Sequence, residues 1–233
     1  MIRPRMMAIA AAAVIALSGC GGSGDEPKAK PKSDLSNLSA NALLAKAKTQ
    51  IEKESSVTIK GSGNDGGNEI GMNISYVAED ASGTVTLDGS EMTLLKVGEK
   101  AFFKAGDDFW KAQAGEEAAM IISLVDGRWI KADGSSDFAD LVSLTQRSFL
   151  SEEILDPEGK VTKGTSKKID GVDCLALNDD EEGTLYVASD NGRPIRLVGE
   201  GESQGNLNFS YDEVDAPKAP ASADVVDLAA LGG

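Results

Sequence analysis

The chain has 233 residues, 41% of them hydrophobic and 26% charged, with a formal net charge of -15 and a sequence pI near 4.4. Such a charge repels nucleic acid and anionic lipid head groups alike, so neither is an expected partner of the surface. Histidine is absent and the two cysteines are Cys20 and Cys174, which excludes Ser-His-Asp and Cys-His catalysis and the common zinc ligand sets.

Arg3 and Arg5 precede an uncharged run from Met6 to Leu17. This is the charged-then-apolar order of a secretory signal, and the run is well below the roughly 20 residues that a membrane-spanning helix needs. Leu17-Ser18-Gly19-Cys20 follows at once and resembles the bacterial lipobox. The resemblance implies cleavage before Cys20, thioether lipidation of its sulfur and acylation of the new amino group. One acyl chain binds a bilayer marginally, at about 0.8 kcal/mol per buried methylene, whereas two or more anchor stably. Residues 1–19 are therefore expected to be a signal peptide. Their loss leaves 214 of 233 residues and, with Arg3 and Arg5 gone, moves the charge from -15 to -17. Attachment to the membrane then rests on the anchor rather than on a basic patch, and the expected location is the extracytoplasmic face of the cell membrane. Residues 20–36 read as the lipidated cysteine and a linker rich in Gly, Pro, Ser and Lys, a composition that builds no core. Residues 37–233 are expected to form one domain with an extended C-terminal tail.

Within that domain, a helix is predicted over 39–53, with Ser39 as N-cap and Leu43, Leu44, Ala47 and Ile51 along one face. From Val57 the hydrophobic period changes to two. An antiparallel meander of about five strands follows, ending at Ala105, with turns at Asp65-Gly66, Asp88-Gly89 and Gly98-Glu99. Phe109-Trp110-Lys111-Ala112 and Arg128-Trp129-Ile130-Lys131-Ala132 read as two versions of one aromatic strand edge. Between them, residues 116–124 fit a short helix with Met120, Ile121 and Leu124 inward, and a further helical stretch runs from about Ser136 to Leu155 before Pro157 and Gly159. Five more strands are predicted over 160–165, 168–178, 183–189, 195–201 and 206–211. The tail around Ala216 to Pro220 is expected to end near the last strand.

The chemistry-bearing residues outside the lipobox read as structural. Cys174, in the alternating run Val172 to Leu177, has no partner once Cys20 is modified, and reads as a small buried hydrophobe. Asp179-Asp180-Glu181-Glu182 lacks the alternating ligands and glycine of a calcium loop and reads as a hairpin turn. Glu116-Glu117 and Glu152-Glu153 are adjacent pairs that point apart on helices, so no paired-carboxylate site is expected. The glycine-rich 61–67 precedes a strand and carries no phosphate-loop lysine. No metal, no cofactor and no enzymatic activity are expected.

The order helix, five strands, helices, five strands resembles the actinobacterial lipoprotein family of the LppX and LprG type over roughly Leu38 to Val214. Carrying the resemblance are Val97-Gly98-Glu99-Lys100-Ala101-Phe102-Phe103-Lys104, Asp126-Gly127-Arg128-Trp129-Ile130-Lys131 and Gly171-Val172-Asp173-Cys174-Leu175-Ala176-Leu177. To these add Gly183-Thr184-Leu185-Tyr186-Val187, Gly192-Arg193-Pro194-Ile195-Arg196 and Leu207-Asn208-Phe209-Ser210-Tyr211-Asp212. None is a catalytic signature. The resemblance implies an α+β fold of the LolA/LolB/LppX kind: a curved antiparallel half-barrel sheet of about ten strands with helices packed on its concave face. It also implies a space between sheet and helices that holds acylated lipid. Alternation alone then puts Ile70, Met72, Ile74, Tyr76, Met92 and Leu94 on the concave face as candidate ligand-lining residues, with Trp110 and Trp129 closing one rim. Ordinary core packing is the competing reading for each. The expected function is binding or transfer of a lipid or other apolar ligand in the cell envelope. The alternative is an extracytoplasmic interaction or sensor lipoprotein that docks a protein partner without a lipid.

Overall fold

A computed structural model describes residues 34–65, 67–132, 138–181, 183–201 and 204–227. The expected signal peptide, Cys20 and most of the expected linker lie outside the described residues. The Ser39 hydroxyl accepts from the Ala42 N–H and opens helix α1 (Ala40–Lys53), whose Leu43, Ala47 and Ile51 are fully buried. Just before it, the 3₁₀ turn Leu35–Asn37 is held against the body. The Leu35 N–H donates to the Ser189 carbonyl, and the Lys163 ammonium donates to the carbonyls of Ser36 and Leu38.

Thirteen strands among the described residues form one sheet. They are β1 (Ser56–Asp65), β2 (Asn68–Val77), β3 (Asp80–Leu87), β4 (Ser90–Val97), β5 (Lys100–Ala105), β6 (Trp129–Ala132), β7 (Val161–Lys163), β8 (Lys167–Ile169), β9 (Val172–Asp179), β10 (Gly183–Ala188), β11 (Pro194–Gly199), β12 (Gly205–Ser210) and β13 (Val225–Val226). Their order is β13-β6-β5-β4-β3-β2-β1-β12-β11-β10-β9-β7, with β8 also paired to β9, and only β13 with β6 is parallel. Two meanders thus meet where β1 pairs with β12, and the sheet stays open. This is the expected α+β curved antiparallel sheet. The three strands beyond ten are β6, β13 and the division of 168–178 into β8 and β9 at Asp170-Gly171, where both residues have positive φ.

Several elements differ from the sequence expectation. Phe109 to Ala112 is not a strand edge but part of helix α2 (Asp107–Ala114). Asp107 and Asp108 sit in its first turn, where acidic groups favour a helix. Phe109 and Trp110 are adjacent and both buried, whereas a strand would send them to opposite faces. In helix α3 (Ala118–Val125) the inward residues are Ala118, Ile121, Ile122 and Val125, while Met120 and Leu124 are 67% and 41% exposed. The run is apolar all round, so periodicity could not choose its buried face. The described part of the predicted stretch, 138–155, breaks into helix α4 (Ala139–Ser143), turns, and a single π-helical turn Leu150–Ile154, while residues 136–137 lie outside the described residues. The break has a cause: the Thr145 hydroxyl donates to the Val142 carbonyl, and the Leu144 carbonyl accepts from Tyr76 Oη at 2.7 Å. The tail passes β12 and reaches β13 against β6, at the far edge of the sheet, where Lys131 pairs with Asp227 at 2.7 Å.

One cluster fixes α1 over the sheet. Arg147 Nη2 donates to the carbonyls of Ile51 and Glu54, both at 2.7 Å, which satisfies acceptors left open where the helix ends. The Glu54 carboxylate receives a two-pronged pair from Arg193, and the Arg193 guanidinium stacks 4.9 Å from the Tyr211 ring. Burial opposes ionisation of Glu54, but hydrogen bonds from Arg193 and Gln50 outweigh it and hold the carboxyl below its ordinary value.

The sheet register builds the core. Phe209, Ile59, Ile74, Gly83, Leu94, Phe103 and Ile130 stand side by side in one row from β12 to β6. All but Gly83 are buried hydrophobics of the same core as Leu43, Ala47 and Ile51 of α1. Gly83 interrupts the row because two strands close on each other there: a Cβ at Gly83 would lie 2.1 Å from the Asn73 carbonyl oxygen. Glycine at such a point lets a sheet bend tightly.

Candidate apolar ligand groove

Two further rows run beside the first on the same face, each displaced by two residues along the strands. The second reads Leu177, Leu185, Leu197, Leu207, Gly61, Met72, Val85, Met92 and Ala105. The third reads Asp179, Gly183, Gly199, Gly205, Gly63, Ile70, Leu87 and Ser90. In the third row four neighbouring strands carry glycine in register, so the concave face has backbone where its neighbours have side chains. The backbones also curl close together: a Cβ at Gly205 would lie 2.3 Å from Gly63 Cα, and one at Gly61 1.9 Å from the Asn206 carbonyl oxygen.

The result is an open groove of about 300 Å³. Leu197, Leu207, Met72 and Ile70 give it apolar walls, Gly61, Gly63, Gly199 and Gly205 form its floor, and Ile154 of the π-helical turn stands over it. Its polar groups are Ser62, Asn64, Asn206 and Glu153, with no lysine or arginine among the described lining residues. The groove is therefore suited to an apolar chain and offers hydroxyl and amide groups and the Glu153 carboxylate at its margin. Among the described residues no group of acidic and cysteine side chains is placed to hold a metal ion.

Of the residues singled out by alternation, Ile70 and Met72 line this groove. Ile74, Tyr76, Met92 and Leu94 lie on the same concave face but are buried in the packed core, and Tyr76 is further held by its hydroxyl on Leu144. Trp110 is also core, with its ring edge-on to Phe109 at 5.0 Å and tilted 6.0 Å from Phe103. Trp129 is half-buried in β6 opposite Val225, at the sheet edge and away from the groove. Sequence reasoning missed Leu197, Leu207, Ile154 and the glycines. The one available signal was glycine recurring near the same end of β1, β10, β11 and β12.

The other groups weighed in the sequence take structural places. Cys174 is 2% exposed with its S–H directed to the Val172 carbonyl at 3.4 Å, and burial pushes its thiol above the ordinary range. The Asp179 carboxylate accepts the N–H groups of Gly159 and Glu181, and Asp180 accepts that of Lys160, so this acidic turn binds a neighbouring loop.

No family model and no curated protein matches the chain. Among solved structures the fold is similar to LprF from Mycobacterium bovis, at 12% identity and a TM-score of 0.50, covering 77% of this chain and 96% of that one. An uncharacterized conserved protein from Thermus thermophilus is 10% identical with a TM-score of 0.41, over 81% of this chain and 98% of that one. MucB is 16% identical with a TM-score of 0.37, over 79% of this chain and 61% of its own. At such identities the likeness to LprF shows a common fold. Among the described residues no helix is long and apolar enough to cross a membrane.

Proposed function

We propose that this chain is a cell-envelope lipoprotein, anchored through acylated Cys20 on the extracytoplasmic face of the cell membrane, whose domain holds an apolar chain of a lipid or similar ligand. The observation that carries the reading is the groove of about 300 Å³ above Gly63, Gly199 and Gly205, which stand in one register row, with Gly61 beside them. That volume falls at the lower end for ligand sites, enough for a single extended chain rather than a bulky ring system. The fold shared with LprF and the resemblance to lipid-carrying lipoproteins support the same reading.

The test is native mass spectrometry of the chain purified from an actinobacterial host, together with titration of a fluorescent acyl probe. Co-purified lipid that the probe displaces is the expected result. A protein that carries no lipid and binds no probe would falsify the reading. A second reading, docking of a protein partner, then becomes the better one. It is favoured by the exposed Met120 and Leu124 on α3 beside Glu116, Glu117 and Asp126, which suit an apolar ridge flanked by basic residues.

Anchoring is tested separately. Cys20→Ala removes the acyl acceptor, so metabolic labelling with an alkyne fatty acid should fall to background and the protein should leave the detergent phase. Undiminished label on the Cys20→Ala protein would refute lipidation at this position.

A further inference from the structure

We infer that Ile154 sets the length of the apolar chain that the groove accepts, an inference that rests on the ligand-binding reading above. Beside the groove lies a second apolar cavity of about 40 Å³. Its floor continues the same strip of sheet, with Leu177, Leu185 and Leu197 from the second row and Gly183 from the third. Its roof is Leu44 of α1 and the segment Ile154 to Pro157. Groove and cavity thus follow one another along a single direction across the strands, and two residues border both spaces: Leu197 from the sheet and Ile154 from above.

The two sides of this partition are held in different ways. Leu197 is locked in register between Leu185 and Leu207. Ile154 is the last residue of the π-helical turn, and the loop after it is tied down by the ion pair of Lys48 with Asp156. A π turn departs from the regular helical ladder and often marks a functional site, here by aiming one branched side chain between two apolar spaces. Ile154 is half-buried, so cutting it back to alanine opens the partition without emptying the centre of the core. The cavity behind it is too small for a ligand of its own but extends the groove along the axis a chain would follow.

Saturated monoacylglycerols, from octanoyl to octadecanoyl, probe this directly because their heads are uncharged. Their binding is read by displacement of a fluorescent acyl probe from the chain 20–233 carrying Cys20→Ala, which has no acyl chain of its own to compete. In the wild-type groove, affinity should rise about fourfold per added methylene and then level off where the chain end meets Ile154. Ile154→Ala should move that plateau to longer chains and tighten the longest members about tenfold, and Ile154→Phe should move it to shorter ones. Leu197→Ala opens the same partition from the sheet side and should reproduce the Ile154→Ala shift. Circular dichroism melts identify any variant that has lost its fold, and the remaining variants decide. A plateau at one chain length in every folded variant overturns the inference and leaves ligand binding intact. No binding by the wild-type protein overturns both.

Discussion

Ile74→Glu is expected to leave no folded domain, whereas Met72→Glu, two residues away on the same strand and face, should fold and lose the acyl ligand. Ile74 is 0% exposed, paired between Ile59 and Gly83 in the first row and covered by the helices. A carboxylate there has no cationic partner, and burying an unpaired polar or charged group costs several kcal/mol, comparable with the whole stability of about 5–15 kcal/mol. Met72 is half-buried and faces the groove, so a glutamate in its place reaches water. Its folding cost should be about 1 kcal/mol, while an apolar chain in the groove would meet a charge. Thermal melts followed by circular dichroism, with titration of the fluorescent acyl probe, read both effects. Wild-type melting by Ile74→Glu would mean that the ligand space reaches the first row. Unfolding by Met72→Glu would mean that the groove is packed core.

Alternation cannot separate those two positions, since both are apolar residues on one face of β2. What alternation and turn chemistry do make legible is local. The Ser39 cap, the α1 stripe of Leu43, Ala47 and Ile51, and the meander β1 to β5 with its Asp-Gly and Gly-Glu turns all follow from residues close together in sequence. The groove does not. Gly63 meets Gly205 only because β1 pairs with β12, a contact between the two ends of the domain, and Gly199 and Gly183 join them through two more registers. No local window holds that alignment. Helix α3 escapes part of a local reading for a related reason: its run is almost wholly apolar, so the partner surface chooses the buried face, whereas α2 is too short for its period to separate a helix from a strand edge. The tail runs away from β12 because two valines complete the edge of β6, a pairing between segments far apart in sequence.

The bend of the sheet over the core should be fragile at Gly83. Gly83→Val is expected to lower stability by about 4 kcal/mol or more, beyond ordinary overpacking, because the obstacle is backbone rather than a side chain that can turn away. A Cβ at Gly83 would lie 2.1 Å from the Asn73 carbonyl oxygen and 2.6 Å from Ile74 Cα, so β2 and β3 would have to separate at the centre of the first row. Separation there also pulls Leu94 and Phe103 from the helices, since they follow Gly83 in register. Gly71→Ala is the matched control on the neighbouring strand. Its Cβ would meet the Thr86 Cβ at 3.4 Å, an ordinary contact, so stability should stay within about 1 kcal/mol and tend to rise as the unfolded chain loses freedom. For a domain of this size about 4 kcal/mol corresponds to a fall in Tm of roughly 10 °C. A Gly83→Val protein that melts within a degree or two of wild type would show that the strands do not approach this closely, and that the sheet bends for another reason.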